Sequence, residues 1–251
     1  QRPAAGPKDV VVKMKSVGIC GSDLSYIKMG GIPPGAETAL GHEGAGEVME
    51  VGAEVEGISV GSPVIVNPMM TPSNIGSGGP EGAFTQELLV REARLGESIL
   101  PIPEGISYDV AAMCEPLAVA MHGVNRAEVK PGDKVVVFGC GPIGLGMLLW
   151  LIDRGITDVI MMAKFHARMV ITAAYMKPLE FPVGRMLTSE MTITTAVGYP
   201  TEMPEVIAAM PRLKDKIAAM ISHKLPFKDV MKGLEIAATP SSAKVMIEME
   251  D

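Results

Sequence analysis

The sequence predicts an α/β fold in which a β-rich region flanks a shorter region with the character of a parallel sheet. Three observations lead to this prediction. Residues 10–17 alternate and are rich in valine, which is typical of a strand. Residues 134–138, KVVVF, form a nearly continuous apolar run, as in a strand that is buried on both faces. After residue 190 the chain returns to mixed segments and ends in a strand-like run over 243–249.

The β-rich region is predicted to form a small antiparallel barrel or sandwich, because several short β-like runs follow one another between glycines. Residues 67–82 contain many Pro, Ser, Asn and Gly residues and are predicted to form a long loop. A helix is predicted over 107–122, where apolar residues recur at helical spacing and Ser107 can act as the N-cap. The predicted strands of this region cover residues 10–17, 44–51, 59–66, 84–90 and 99–103.

The second region begins after a turn at 130–133, and its pattern is strand, glycine turn, helix. The glycine turn at 139–144 reads GCGPIG, and the helix after it ends near Gly155. Later segments are weaker in pattern. Strands are predicted over 158–162, 169–171, 191–199 and 243–249, and helices over 202–210 and 226–238.

Composition excludes several classes of protein. Of the 251 residues 47% are hydrophobic and 20% charged, so a sizeable core is expected. The net charge of −7, without a cluster of basic residues, argues against nucleic acid or an anionic membrane as a partner. Three cysteines without disulfide spacing fit a reducing compartment, and residues 1–7 do not resemble a secretory signal. Residues 135–152 lack charges, but their central glycines and proline would break a membrane-spanning helix.

The candidate metal site centres on His42 and Glu43, which are adjacent and have a glycine on either side. His42 follows Cys20 by 22 positions. A thiolate, an imidazole and one or two carboxylates suit a zinc ion with one position left open for a substrate, and Glu115 offers a further carboxylate. Taken singly, the His-Glu pair could be a solvated polar turn, and Cys20 a small core residue. Their combination with the glycine motif favours a catalytic metal site.

The glycine motif at Gly139, Gly141 and Gly144 matches GxGxxG. Glycines in this pattern allow a tight turn and a close approach of the backbone to a pyrophosphate, while the following helix offers N–H donors at its N-terminus. The alternative is a tight turn that only packs a helix on a sheet. Because the motif follows an apolar run and opens a helix, a dinucleotide site is favoured, with Pro142 and Ile143 also in contact with the cofactor.

With these motifs, the chain resembles the medium-chain, zinc-dependent alcohol dehydrogenases, and within them the polyol branch of sorbitol, butanediol and threonine dehydrogenases. The resemblance covers most of the chain. It rests on GICGSD at 18–23, GHEGAGEV at 41–48, EPLAVA at 115–120, PGDKVVVFGCGPIG at 131–144 and SSAKVMIEM at 241–249.

The resemblance implies a GroES-like barrel that carries one catalytic zinc and a Rossmann-type parallel sheet that binds NAD, with NADP not excluded. Cys20 and His42 would ligate the zinc, and Glu43 and Glu115 would share the remaining places, in an order that the sequence leaves open. Ser22 matches the hydroxyl that passes the alcohol proton outward. Ser25 occupies the position of the histidine that often continues this relay. The implied protein is a cytoplasmic dimer or tetramer that transfers hydride between a secondary alcohol or polyol and the nicotinamide.

The chain departs from this family in two places. Residues 67–82 replace the lobe that usually carries four cysteines, so no structural zinc is expected. An acidic side chain should meet the ribose about 20 residues after the glycine motif, but positions 163 and 164 are Ala and Lys. The likeness stops near Met162 and resumes near Arg168, so the Rossmann-type sheet is predicted to be incomplete. Either the protein is a deletion form or it belongs to a longer chain, and the second is preferred.

The domain organisation that follows has the catalytic zinc domain in residues 1–121 and again in 191–251, with the cofactor domain in 122–190. Two other functions are weighed against the dehydrogenase. One is a non-catalytic zinc-binding remnant with an incomplete cofactor site. The other, a zinc-free relative of the quinone reductases, is disfavoured because it would not need Cys20, His42 and Glu115 together.

Overall fold

The computed structural model describes residues 2–156, 167–172, 183–188 and 190–249. The strand predicted over 158–162, and positions 163 and 164, lie outside them. The strands are β1 (Val10–Gly18), β2 (Glu43–Val51), β3 (Pro63–Val66), β4 (Glu87–Val90), β5 (Ile99–Pro101), β6 (Arg168–Ile171), β7 (Thr192–Thr195), β8 (Ile221–Pro226) and β9 (Lys244–Glu248). The helices are α1 (Gly21–Met29), α2 (Tyr108–Ala112), α3 (Cys114–Ala127), α4 (Pro142–Asp153), α5 (Val183–Thr188), α6 (Met203–Ala218) and α7 (Val230–Ala237), with 3-10 turns at Pro68–Met70 and Phe227–Asp229.

The chain divides into two compact units, residues 1–115 with 203–251 and residues 116–202. The first unit contains a seven-stranded sheet in the order β5-β3-β2-β1-β9-β8, with β4 on the first half of β1. The α/β class is confirmed. The antiparallel pairing predicted for the strands within residues 10–103 is confirmed, because β1 to β5 pair only in that sense. Strand β8, which lies outside that prediction, pairs with β9 in parallel. The sequence had not indicated β8, whose side chains are mostly half-buried or exposed, with Leu225 the only buried one.

The register of the sheet brings three chain segments to one end. Gly18, the last residue of β1, is opposite Glu43, the first residue of β2. Gly18 also pairs with Met246 of β9, and Gly44 pairs with Val66, the last residue of β3. Cys20 follows β1 directly and His42 precedes β2, so the candidate ligands lie at this end of the sheet.

Helix α1 was missed by the sequence patterns, because it buries little apolar surface and Asp23 is its only fully buried side chain. It begins after Cys20, where the Asp23 carboxylate accepts a hydrogen bond of 2.9 Å from the Cys20 N–H. It ends at Gly30, whose φ of 74° is left-handed, a conformation that glycine adopts without steric strain. The helix therefore holds the Cys20 turn at a fixed place next to the sheet.

The helix predicted over 107–122 is two helices, α2 and α3, which meet at Met113. Ser107 caps α2 as predicted, since its hydroxyl accepts a hydrogen bond from the Val110 N–H at 3.4 Å. Residues 67–82, predicted to be a loop, contain one short 3-10 turn and then fold against the His42 turn. The backbone N–H groups of Ala83 and Phe84 donate to the carbonyls of Gly41 and Leu40, respectively.

In the second unit, β6 and β7 pair in parallel and α4 follows the glycine motif. The predicted buried strand over 134–138 was wrong. No strand spans these residues, and Phe138 is 87% exposed. An apolar run becomes a buried strand only where neighbouring strands and helices cover it on both faces. Here residues 135–137 are only half-buried, with Val137 next to Gly144 of α4. No described helix combines the length and the apolar character needed to cross a membrane.

Candidate functional site

Three of the predicted ligands lie together in the first unit. One ligand atom each from Cys20, His42 and Glu43 lies within 4.8 Å of the other two. His42 and Glu43 are buried, while Cys20 is partly accessible. The ring nitrogen Nδ1 of His42 is buried and has no hydrogen-bond partner among the described residues. A buried nitrogen without a partner is unfavourable unless something else binds the ring or replaces the missing contact.

Asp23 connects the two ligand-bearing turns, and the sequence analysis had not singled it out. Its fully buried carboxylate accepts hydrogen bonds from the backbone N–H groups of Cys20, at 2.9 Å, and Gly41, at 3.1 Å. Its Oδ1 also lies 3.7 Å from Nδ1 of His42. Burial raises the pKa of Asp23, although His42 and the two N–H groups act in the opposite direction. An acidic residue three positions after a helix N-cap was the signal that could have identified it.

Glu43 is held by a lysine that the sequence analysis also missed. Both carboxylate oxygens of Glu43 lie 2.7 Å from Nζ of Lys244, which also donates to the Ile19 carbonyl at 3.1 Å. Both side chains are almost fully buried. Burial acts to lower the pKa of Lys244, but the charge of Glu43 and its hydrogen bonds with Lys244 act more strongly in the opposite direction and the pKa is raised. A lysine inside an otherwise apolar strand was the signal, because a buried ammonium needs an acidic partner.

Glu115 lies in the first turn of α3 and is buried. It does not belong to the group of three within 4.8 Å, but its carboxyl group interacts electrostatically with His42, Glu43 and Cys20. Burial raises the pKa of Glu115 to about 8; His42 acts in the opposite direction, and the charge of Glu43 adds to the effect of burial. In the metal-free protein these surroundings favour the protonated carboxyl group. A cation bound nearby would favour the carboxylate instead and so lower the pKa.

The Cys20 thiol is also held in its protonated form. Burial and the Glu43 charge raise its pKa to about 11, against hydrogen bonds that Ser22 donates from its hydroxyl and its backbone N–H. A divalent cation would convert the thiol to the thiolate, which is the form that ligates zinc. The set of a thiol, an imidazole with an unpartnered nitrogen and two buried carboxylates therefore fits a zinc ion.

Ser22 is placed beside Cys20 by the first turn of α1, but no onward proton path is seen at Ser25. The Ser25 hydroxyl donates to the Gly21 carbonyl of its own helix at 3.1 Å. This back-bond occupies the only proton of that hydroxyl. At the position of the histidine that often continues the relay, this chain therefore has a Ser25 hydroxyl that is bound to the helix backbone.

The glycine motif lies at the start of α4 in the second unit, with Gly141 as the N-cap and Pro142, Ile143 and Gly144 in the first turn. Gly139 has a φ of 101°, which favours glycine, and a Cβ placed there or at Gly141 would meet nothing within 4 Å. A Cβ at Gly144 would lie 2.0 Å from the Gly139 carbonyl oxygen, so only glycine fits there. The open turn and the helix N-terminus fit a phosphate group of a dinucleotide.

Comparison with known proteins gives a consistent result. Residues 6–104 match the family model of the alcohol dehydrogenase GroES-like domain. The chain is 37% identical over 183 residues to (R,R)-butanediol dehydrogenase of Bacillus subtilis. This alignment covers 63% of this chain and 52% of the relative. It is 38% identical over 191 residues to sorbitol dehydrogenase 2 of Saccharomyces cerevisiae, in an alignment that covers 67% of this chain and 53% of the relative. The chain thus spans about half the length of the curated relatives it matches.

The fold is also similar to a solved structure. The crystal structure of 2R,3R-butanediol dehydrogenase from Bacillus subtilis superposes with a TM-score of 0.85 at 23% sequence identity. The superposition extends over 99% of this chain and 94% of that chain.

Proposed function

Since the chain belongs to the medium-chain, zinc-dependent alcohol dehydrogenase family, we propose that it transfers hydride between a secondary alcohol or polyol and a nicotinamide cofactor. The observation that carries the proposal is the convergence of Cys20, His42 and Glu43 within 4.8 Å. The substrate class follows from the butanediol and sorbitol dehydrogenases among its relatives. The dimer or tetramer, the cytoplasmic location and the absence of a structural zinc remain predictions from the family resemblance.

We propose Cys20, His42 and Glu115 as the protein ligands of the zinc. Glu43 lies nearer to Cys20 and His42, but both of its oxygens are engaged by the Lys244 ammonium. Glu115 receives no hydrogen bond from the described residues, so its lone pairs are available. Glu43 would then act as a buried negative charge near the metal rather than as a direct ligand.

When bound, the zinc supplies Lewis acidity that eases removal of a hydroxyl proton, and the nicotinamide supplies the hydride acceptor. The residues of the chain do the remaining work. Asp23 fixes the turns of Cys20 and His42, and Lys244 neutralises Glu43. The Ser22 hydroxyl is the group that would take the substrate proton. Gly139, Gly141 and Gly144, with Pro142 and Ile143, would bind the cofactor phosphates, for NAD or NADP.

The test is metal analysis followed by an assay of nicotinamide reduction. We expect about one zinc per chain and oxidation of 2,3-butanediol, sorbitol or xylitol with NAD⁺ or NADP⁺. His42→Gln should lose both zinc and activity. His223→Gln, which changes a partly buried histidine on β8 that is not among the candidate ligands, is the matched control and should keep both. Wild-type protein that retains no zinc, or that oxidises none of these alcohols with either cofactor, would contradict the proposal.

A further inference from the structure

Four polar side chains on β1, α2, β8 and β9 contact one another away from the metal ligands. The buried Ser16 hydroxyl donates to Oδ1 of Asp109 at 2.7 Å, and Oδ2 of Asp109 accepts a hydrogen bond from Lys224. Nζ of Lys224 lies 3.6 Å from a carboxylate oxygen of Glu248. We name this set, Ser16, Asp109, Lys224 and Glu248, the α2 anchor. None of its members belongs to the proposed metal or cofactor site.

The α2 anchor connects the two segments that carry ligands. Ser16 stands on β1, four residues before Cys20, and Asp109 stands on α2, six residues before Glu115. Only Met113 separates α2 from α3, which carries Glu115 in its first turn. The Ser16–Asp109 hydrogen bond is therefore a direct link between the strand that ends at Cys20 and the helix that leads to Glu115.

Helix α2 depends on such contacts for its position. It has five residues, which is too short for a helix to be stable on its own propensity. Its inward-facing residues Val110, Ala111 and Ala112 are buried, and apolar contacts of this kind are not directional. The polar contacts of Asp109 add direction, because a hydrogen bond with a buried partner tolerates little displacement.

Glu115 itself lacks a comparable restraint. In the described part of the chain its carboxylate receives no hydrogen bond, whereas Glu43 is bound through both oxygens by Lys244. The location of the Glu115 carboxylate must then follow from where α2 and α3 hold its backbone. A shift of α2 would therefore move Glu115 as well, because no hydrogen bond from the described residues holds the Glu115 carboxylate in place.

We propose that Asp109 is a positioning residue for the metal centre. By tying α2 to β1 and β8, it holds Glu115 beside Cys20 and His42, and so sets the affinity and the coordination geometry of the zinc. The inference rests on the proposed function, in which Glu115 is the carboxylate ligand. Residues that orient metal ligands from outside the coordination sphere typically change metal affinity about 10- to 100-fold when they are replaced.

The experiment measures the zinc dissociation constant by competition with a chromophoric chelator. Asp109→Asn keeps the size of the side chain and an acceptor for Ser16, but it loses the ion pair with Lys224. We expect zinc binding about 10-fold weaker than in the wild type, and a changed visible absorption spectrum of the cobalt-substituted protein. Lys224→Met, which removes the ion pair, should change both readouts in the same direction, whereas Lys224→Arg, which preserves the ion pair, should leave both at wild-type values.

Val90→Ala is the control for a merely structural role, because Val90 is fully buried and pairs with Val10 at the other end of β1. It should lose unfolding stability but keep the zinc affinity and the cobalt spectrum. The inference is overturned if Asp109→Asn combined with Ser16→Ala, which together remove both contacts of the Asp109 side chain, binds zinc within about twofold of wild type and its cobalt spectrum is unchanged.

If Asp109→Asn fails to fold, Lys224→Met combined with Ser16→Ala provides the same comparison, because together they remove both partners of the Asp109 carboxylate and leave Asp109 in place. Unchanged zinc affinity in that variant would then overturn the inference. Failure of the proposed function has a different pattern. It would appear as a wild-type protein that binds no zinc, or as a Glu115→Gln protein that binds zinc as tightly as the wild type.

Discussion

At the scale of single residues, two carboxylates near Cys20 and His42 have opposite surroundings. Glu43 is paired with the buried ammonium of Lys244 through both oxygens. Glu115 receives no hydrogen bond from the described residues, and burial raises its pKa to about 8. The difference explains why the nearer carboxylate is proposed as the structural partner of a lysine and the other one as the metal ligand.

Replacing each carboxylate by its amide separates these roles. Glu115→Gln should weaken zinc binding by about 100-fold or more, because a ligand is lost. Glu43→Gln should instead lower the free energy of unfolding by about 3 to 5 kcal/mol, because it leaves the Lys244 ammonium buried without its partner. Chelator competition and chemical unfolding measure the two effects, with Glu97→Gln on an exposed loop as the control. The reverse order of zinc affinities would show that Glu43 is the ligand.

Zinc binding should release protons in a way that depends on pH. The pKa of Glu115 is raised to about 8 and that of Cys20 to about 11 in the metal-free protein, and both groups must be deprotonated in the complex. Below pH 8 about two protons should leave per zinc, and between pH 8 and 11 about one. Zinc affinity therefore rises with pH throughout this range. Calorimetric titration in buffers of different ionisation enthalpy counts the protons, and a count of zero at pH 7 would contradict the assignment.

The same pKa shift has a consequence for the metal-free fold. The pKa of Glu115 is higher in the folded chain than its unperturbed value of 4.5, so the folded state holds this proton more tightly than the unfolded state. The contribution of Glu115 to stability is thus complete below pH 4.5 and is lost as pH rises to about 8. Bound zinc should remove this loss by favouring the carboxylate.

At the scale of elements, the metal end of the sheet depends on the close approach of β1 and β2. A Cβ at Gly18 would lie 2.1 Å from Oε2 of Glu43, in the space that the Glu43–Lys244 pair fills. The strand register places these two residues opposite each other. A side chain at position 18 would therefore displace the Glu43 carboxylate from its contact with Lys244.

Gly18→Ala should therefore destabilise the fold by about 1 to 3 kcal/mol, the usual cost of excess volume in a packed interior. Gly21→Ala is the matched control, because a Cβ there meets nothing within 4 Å and alanine is the better helix former. It should be neutral or stabilising by up to about 1 kcal/mol. Urea unfolding of both variants is the measurement, and equal stabilities would contradict the steric argument.

At the scale of the whole molecule, the two units differ in how far they bury their apolar side chains. In the first unit the valines of β1 are almost fully buried. In the second, Phe138 and Val197 are each 87% exposed, although Phe138 ends an apolar run. Exposed side chains of this kind add little to the stability of the unit.

Phe138→Ser should accordingly change the free energy of unfolding by no more than about 0.5 kcal/mol. Leu149→Ala in α4, where the side chain is buried, should cost about 2 to 5 kcal/mol. Fluorescence of the single tryptophan, Trp150, reports the second unit directly, because it is buried there and its indole N–H donates to the Leu117 carbonyl. A large loss of stability in Phe138→Ser would mean that residue 138 is covered in solution.

The sequence by itself determined the class of the fold, the strands β1, β2 and β9, helix α4, and the segments that carry Cys20, His42 and Glu115. These depend on local periodicity and on residue types with distinct chemistry, which can be identified without knowing what surrounds them. Tertiary structure alone decided that Lys244 binds Glu43, that Asp23 joins two turns, and that residues 134–138 do not form a strand. Each of those outcomes depends on residues that are far away in the chain, because charge pairing and burial are properties of the folded surroundings.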